Sequence, residues 1–94
     1  MMQNTSTIDL IRQRLTDALH PISLEIVDDG AKHAHHKSAK EHPEAGHYNL
    51  YIVADAFLGK NRIQRHRMIY EALSDLMQGA IHALQIDAKA PGES

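Results

Sequence analysis

The stretch HYNLYIVA, residues 47–54, decides the fold, because its apolar side chains alternate with the others. Tyr48, Leu50 and Ile52 fall on one face of an extended chain, since successive side chains of a strand point to opposite faces. The sequence therefore predicts a β-strand that lays one apolar face against a core.

A second strand is predicted before it, over residues 22–28, and a helix before that, over residues 6–19. The strand alternates apolar and other positions, namely Ile22, Leu24 and Ile26 against Ser23, Glu25 and Val27. The helix has one apolar stripe at helical spacing, made by Ile8, Ile11, Leu15 and Leu19. Ser6 with Asp9 three residues on resembles the weaker, aspartate form of a capping box. Pro21 disfavours helical geometry at His20, so the helix should end there.

The two predicted strands are separated by a long polar segment. Asp28-Asp29-Gly30 ends the first strand, and a loop then runs over about residues 30–46, with Pro43 and Gly46 as breakers. About 16 residues is long for a connection in so small a domain, and such loops are usually functional or mobile.

Helical periodicity returns after residues 47–54. A turn over residues 55–60 leads to a predicted helix at residues 62–78, with Gly79 where a C-terminal cap belongs. Its apolar stripe is Ile63, Ile69, Tyr70, Leu73, Leu76 and Met77. A last strand is predicted over residues 81–87, with Leu84 and Ile86 pointing inward.

The order helix, strand, strand, helix, strand predicts a single α+β domain over residues 1–94, with flexible ends at about 1–5 and 89–94. The first two strands can pair antiparallel across the long loop. The second and third are joined through a helix, which predicts parallel pairing with a right-handed crossover. We therefore expect a three-stranded mixed sheet with both helices on one face.

Composition excludes several functional classes. The chain contains no cysteine, so disulfides, a thiol nucleophile and metal sites built wholly from thiolates are excluded. The net charge of −2 gives no overall attraction to nucleic acid or to an anionic membrane. No apolar run approaches the roughly 18 residues that span a bilayer, and residues 1–7 carry no signal segment. We expect a cytoplasmic protein that does not bind membranes.

Histidine is unusually frequent, with eight in 94 residues. Five of them fall in residues 33–47, namely His33, His35, His36, His42 and His47. Imidazole is a common metal ligand, but a histidine-rich loop can also be merely solvated. A convincing metal site needs a second ligand on a rigid element, because ordering a loop costs entropy. His82, at the mouth of the last strand, is the candidate; the alternative is an ordinary polar residue at a strand end.

A local basic patch begins the second helix, with Arg62, Arg65 and Arg67 in six residues. It could contact the phosphates of nucleic acid, or it could be a solvated helix face in which Arg67 pairs with Glu71. His66 falls within the apolar stripe, where a hydrogen-bonded core residue is the more common role. No nucleophile–base pair or clustered acid/base pair occurs at useful spacing, so we expect no enzymatic activity.

Several of these segments together resemble the BolA family, over roughly residues 8–91. They are LEIVDD at 24–29, GHY at 46–48, FLGK at 57–60, RHRMIY at 65–70 and IHAL at 81–84. The resemblance implies a fold akin to the class II KH domain, which agrees with the predicted order of elements. It also implies pairing with a monothiol glutaredoxin around a shared [2Fe-2S] cluster, for which the glutaredoxin and its glutathione supply thiolates.

The same resemblance implies which residues of this chain would ligate the cluster. They are His82 at the start of the last strand and one loop histidine, best matched by His33, with His35 and His36 as alternatives. The loop is longer and richer in histidine than the family pattern. The family is also described as containing transcriptional regulators, so double-stranded DNA bound through Arg62, Arg65 and Arg67 is the second hypothesis. Metal buffering by the loop alone is the third, and a weak homodimer of the apo form stays open.

Overall fold

The computed structural model describes residues 6–29 and 46–93. Its helices and strands follow the predicted order: α1 (Thr7–Leu19), β1 (Ser23–Asp28), β2 (His47–Val53), α2 (Arg62–Ala72) and β3 (Ala83–Lys89). Two short 3₁₀ turns, Asp55–Phe57 and Leu76–Gln78, flank α2. The α+β class is confirmed. The predicted loop lies outside the described residues except for its last position, Gly46.

The sheet is mixed, as predicted, with strand order β1-β2-β3. β1 runs antiparallel to β2 and places Asp28 opposite Tyr48. β3 runs parallel to β2 and places Ala83 opposite His47. The end of β1, the start of β2 and the start of β3 therefore share one end of the sheet.

One apolar core lies between the helices and one face of the sheet. The central strand contributes Tyr48, Leu50 and Ile52, all buried, while Tyr51 points outward and is 44% exposed. The helices and turns add Ile11, Leu15, Phe57, Ile69 and Leu73, each fully buried. Each such side chain contributes roughly 2 kcal/mol to folding. The alternation read from residues 47–54 therefore places the core correctly.

The ends of α1 agree with the sequence signals. The Ser6 hydroxyl accepts a hydrogen bond from the amide of Asp9 at 3.1 Å, which caps the first turn. His20 adopts a left-handed conformation (φ 49°), and its amide donates to the carbonyl of Thr16 at 3.0 Å. The helix therefore stops immediately before Pro21.

The second helix begins with a capping box that the sequence analysis did not identify. The Asn61 side chain accepts from the amide of Gln64, and the Gln64 side chain accepts from the amide of Asn61, both at 2.8 Å. Each side chain satisfies an amide that the helix itself cannot pair. This box fixes where the basic segment starts.

The predicted end of that helix is wrong. The helix stops at Ala72, and the carbonyl of Leu73 then accepts from the amides of both Leu76 and Met77, at 2.9 Å each, which tightens the chain into a 3₁₀ turn. Gly79 has φ −167° and is therefore not a left-handed cap. The chain needs this turn to leave the helix and enter β3.

The predicted apolar stripe of the helix is also partly wrong. Ile69 and Leu73 are buried, but Ile63 is 68% exposed and Tyr70 is 41% exposed. Positions 63 and 70 are seven residues apart and share one side of the helix, which faces away from the core. His66 is half-buried beside this exposed strip rather than within the core.

Candidate functional site

His82 lies at the end of the sheet where the long loop leaves β1 and enters β2. It directly precedes Ala83, the first residue of β3, which pairs with His47 at the start of β2. Its side chain is exposed. The structure therefore places the predicted rigid ligand where the loop could approach it.

Gly46 joins the end of the loop to the backbone at His82. Its carbonyl oxygen accepts hydrogen bonds from the amides of His82 at 2.8 Å and of Ala83 at 3.0 Å. Gly46 itself is buried and has φ +94°. The last residue of the histidine-rich segment is thus held against the first residues of β3.

The imidazole of His82 has no hydrogen-bond partner within residues 6–29 and 46–93. A cleft of about 290 Å³ opens beside it and is lined by Met77, Gln78, Gly79, Ile81 and His82. An exposed imidazole with room beside it can accept a metal in a way that a hydrogen-bonded core histidine cannot.

The other predicted ligands, His33, His35 and His36, lie outside the described residues. Among the described residues, no group of three or more His, Cys, Asp or Glu side chains is arranged to hold a metal ion. A metal at His82 therefore needs ligands from outside the described part of the chain.

Of the three predicted nucleic-acid contacts, Arg65 is committed to holding the C-terminal segment. Its guanidinium donates to the carbonyl oxygens of Lys60 at 2.8 Å and Ala88 at 3.1 Å, and to both carboxylate oxygens of Glu93 at 2.7 and 2.8 Å. Its side chain is only 13% exposed and lies 5.9 Å from the centre of the Phe57 ring. These bonds occupy four of the five N–H donors of the guanidinium, and Glu93 pairs its charge, so little of Arg65 is left for a phosphate.

The ion pair shifts both of its members. The hydrogen bonds from Arg65 and from the amide of Ala90 lower the pKa of Glu93 from its ordinary 4.5 to about 2. The hydrogen bonds that Arg65 donates to Glu93 raise the pKa of Arg65 above its usual value. Both groups stay charged throughout the neutral range.

Arg62 and Arg67 remain on the surface. Both line an open, mainly apolar cleft of about 500 Å³, together with Ile63, His66, Tyr70, Glu71 and Ser74. Arg62 and Arg67 are therefore accessible to a ligand, whereas Arg65 is bonded within the fold.

Comparison with known proteins identifies the chain. The family model described as "BolA-like protein" matches residues 15–93. The chain belongs to the BolA-like family. This BolA-like chain is 45% identical over 87 residues to the chloroplastic/mitochondrial SufE-like protein 1 of Arabidopsis thaliana, and the match covers 88% of this chain and 23% of that relative. It is 36% identical over 83 residues to mouse BolA-like protein 1, covering 88% of this chain and 57% of the relative.

Solved BolA structures share its fold. BolA1 from Arabidopsis thaliana superposes with a TM-score of 0.77 at 32% identity and covers 99% of both chains. The BolA domain of SufE1 from the same plant gives 0.75 at 42% identity, covering 90% of this chain and 92% of that one. The predicted family and fold are confirmed. No described helix could cross a bilayer, and because SufE-like protein 1 carries an organellar name, the cytoplasmic location stays a prediction.

Two residues of this BolA-like chain were not identified as important from the sequence. Gly46 appeared only as a loop breaker and as part of the family motif, and its approach to His82 depends on the parallel pairing of β2 with β3. Glu93 lies in a segment predicted to be loose, and nothing nearby in the sequence marks Arg65 as its partner 28 residues away. Both depend on long-range contacts.

Proposed function

We propose that this chain shares a [2Fe-2S] cluster with a monothiol glutaredoxin, in support of iron–sulfur and iron homeostasis, and that it is not an enzyme. His82 and one loop histidine would ligate one iron, while the glutaredoxin and its glutathione supply thiolates. The observation that carries the proposal is the exposed imidazole of His82, which has no hydrogen bond to any described residue and lies at the end of the sheet where the loop terminates. Replacing two thiolates by imidazoles on one iron raises the reduction potential of such a cluster.

The reach of the loop supports this pairing of ligands. Asp28, Tyr48 and Leu84 lie side by side across the sheet, so Asp28 is two strand spacings, or about 10 Å, from Leu84. His82 lies two residues before Leu84 along its strand direction. Five residues from Asp28 to His33 span at most about 17 Å when fully extended, so chain length permits His33 to reach His82.

That bound makes His33, five residues after Asp28, the first loop histidine able to reach His82. His35 and His36 have still more chain available, so reach alone permits all three. A neutral imidazole supplies one donor atom, so His82 and one loop histidine together can supply two ligands to an iron that a partner protein presents.

Visible circular dichroism of the reconstituted complex tests the proposal. The protein would be mixed with a monothiol glutaredoxin, iron, sulfide and glutathione, and wild type compared with His82→Ala and His33→Ala. We expect wild type to change the spectrum of the glutaredoxin cluster and His82→Ala to lose that change. His33→Ala should lose it if His33 is the loop ligand, and otherwise His35→Ala or His36→Ala should.

The matched control is His20→Asn. His20 is exposed, lies near the opposite end of the sheet, and has a left-handed conformation that asparagine tolerates. This variant should keep the wild-type spectrum. A His82→Ala protein that also keeps it would contradict the proposal, and metal affinity that survives in His82→Ala would point instead to buffering by the loop alone.

DNA binding is the second candidate, and the exposure of Arg62 and Arg67 near the start of α2 favours it. Because Arg65 is committed to Glu93, a clean test uses Arg62→Ala with Arg67→Ala rather than Arg65→Ala. If both arginines contact phosphates, the slope of log affinity against log salt should become shallower by about 2 in duplex binding assays. An unchanged slope would exclude this surface as the DNA contact.

A further inference from the structure

We propose that Gly46 is a positioning residue for His82, which fixes the imidazole relative to the end of the histidine-rich loop. Its role in cluster binding rests on the proposed function, but the positioning itself concerns only this chain. Two independent observations carry the inference: the bonds that the Gly46 carbonyl accepts and the space that a side chain at this position would need.

The first observation is that one carbonyl holds two successive amides. The Gly46 oxygen accepts from His82 at 2.8 Å and from Ala83 at 3.0 Å. The bond from Ala83 belongs to the first bridge of the parallel β2–β3 ladder, at His47 opposite Ala83. The bond from His82 lies one residue before that bridge, so the two bonds together fix the backbone that carries the imidazole.

The second observation is that no side chain fits at position 46. A Cβ there would lie 2.8 Å from the ring carbon Cδ2 of His82, 2.9 Å from its backbone nitrogen and 3.0 Å from the carbonyl oxygen of Ala80. Two of these atoms belong to the backbone and cannot rotate away. Glycine at this position therefore permits the ring to lie where it does.

Comparison with two other glycines separates close approach from backbone conformation. Gly46, Gly59 and Gly92 all have positive φ, at +94°, +76° and +88°, so each suits glycine on conformational grounds. A Cβ at Gly59 or Gly92 would meet no atom of the described residues within 4 Å, whereas at Gly46 it would displace His82. Only at Gly46 does the missing side chain set the direction of a candidate ligand.

The test compares Gly46→Ala with the matched control Gly59→Ala, in the apo protein and in the reconstituted glutaredoxin complex. Both substitutions place alanine at a positive φ, so both should lower the Tm. Only Gly46→Ala should shift the ring resonances of His82, speed amide exchange at His82 and Ala83 by about tenfold, and weaken the spectral change on complex formation.

Ala83→Pro provides a second variant in case Gly46→Ala does not fold. It removes one of the two amide donors at the first residue of β3, where proline is tolerated, and leaves Gly46 unchanged. It should disturb the His82 ring resonances and the complex spectrum in the same way. Hydrogen exchange of the wild-type amides tests the two bonds to Gly46 without any variant. Unprotected amides at His82 and Ala83 would overturn the proposal.

Other outcomes separate the two proposals. Ring resonances of His82 that match wild type in folded Gly46→Ala would overturn positioning by Gly46, whatever the cluster does. A wild-type protein that never alters the glutaredoxin spectrum would overturn cluster sharing, while the ring resonances and amide exchange would still decide the role of Gly46.

Discussion

A basic side chain lies at each end of β3, His82 just before its start and Arg65 of α2 beside its other end, and the two differ in how the fold binds them. At the start, the His82 ring is exposed and has no hydrogen bond within residues 6–29 and 46–93. At the other end, Arg65 makes four hydrogen bonds that join α2, β3 and the C-terminal segment. Whether a basic residue can bind a ligand therefore depends on which bonds the fold has already formed with it.

The chain around each end explains the difference. Arg65 extends from α2 beside the end of β3, where the carbonyl of Ala88 and the carboxylate of Glu93 both accept from it, and its guanidinium lies over the Phe57 ring. The side chain is only 13% exposed, so it is covered while its charge is paired. At the other end, the described residue that lies against His82 from the side of β2 is Gly46, which has no side chain to bond or cover the ring.

Removing the hydrogen-bonded side chain of Arg65 should give the largest effect on stability. We expect Arg65→Ala to lower the Tm by roughly 5–10 °C, because two carbonyls and one carboxylate lose their donor. The spectrum of the reconstituted complex should stay as in wild type. Thermal unfolding followed by circular dichroism measures the first result, and visible circular dichroism measures the second.

Arg62→Ala is the control for this variant, since it removes an exposed arginine from the same helix. Its Tm should stay close to that of wild type. Equal Tm values for the two variants would show that the hydrogen bonds of Arg65 do not stabilise the fold, and the contrast between the two ends of β3 would fail.

A smaller and pH-dependent effect is expected for Glu93→Gln. The pKa of Glu93 falls from 4.5 to about 2 on folding, so its charge stabilises the protein fully above about pH 4.5 and loses that contribution as the pH falls toward 2. The Tm of wild type should exceed that of Glu93→Gln by a few degrees at pH 7, and the gap should close between pH 4.5 and 2.

Thermal unfolding at pH 7, 5, 3 and 2 measures this gap. Both proteins should be compared at equal ionic strength, because the carboxylate is partly exposed and salt screens its interaction with Arg65. A gap of the same size at every pH would mean that the charge of Glu93 contributes nothing and that only the shape of its side chain matters.

Local patterns in the sequence were sufficient for most of the fold. The alternation of Tyr48, Leu50 and Ile52 predicted the central strand, and Ser6 and Pro21 predicted the ends of α1. The outward side of α2 was missed because Ile63 and Tyr70 are apolar yet exposed. The helical spacing of apolar residues cannot show which side of a short helix will meet the sheet, since that depends on how the helix packs.

The candidate site was predicted unevenly for the same reason. The place of His82 at the mouth of a strand follows from its position just before an alternating segment. The contact of Gly46 with His82 and that of Arg65 with Glu93 join residues far apart in the chain, so neither has a local signal. The choice among His33, His35 and His36 stays a prediction.

The hydrogen bond from Arg65 to Ala88 also affects how molecules of this protein meet one another. Among the described strands, β3 pairs with β2 alone, and the carbonyl of Lys89 points toward β2, where it accepts from the amide of Ala54. Because backbone groups alternate along a strand, the carbonyl of Ala88 points to the outer edge. The guanidinium of Arg65 occupies this carbonyl and so obstructs the edge of β3. A strand from another molecule is then less able to pair there, which lowers the tendency to aggregate by sheet extension.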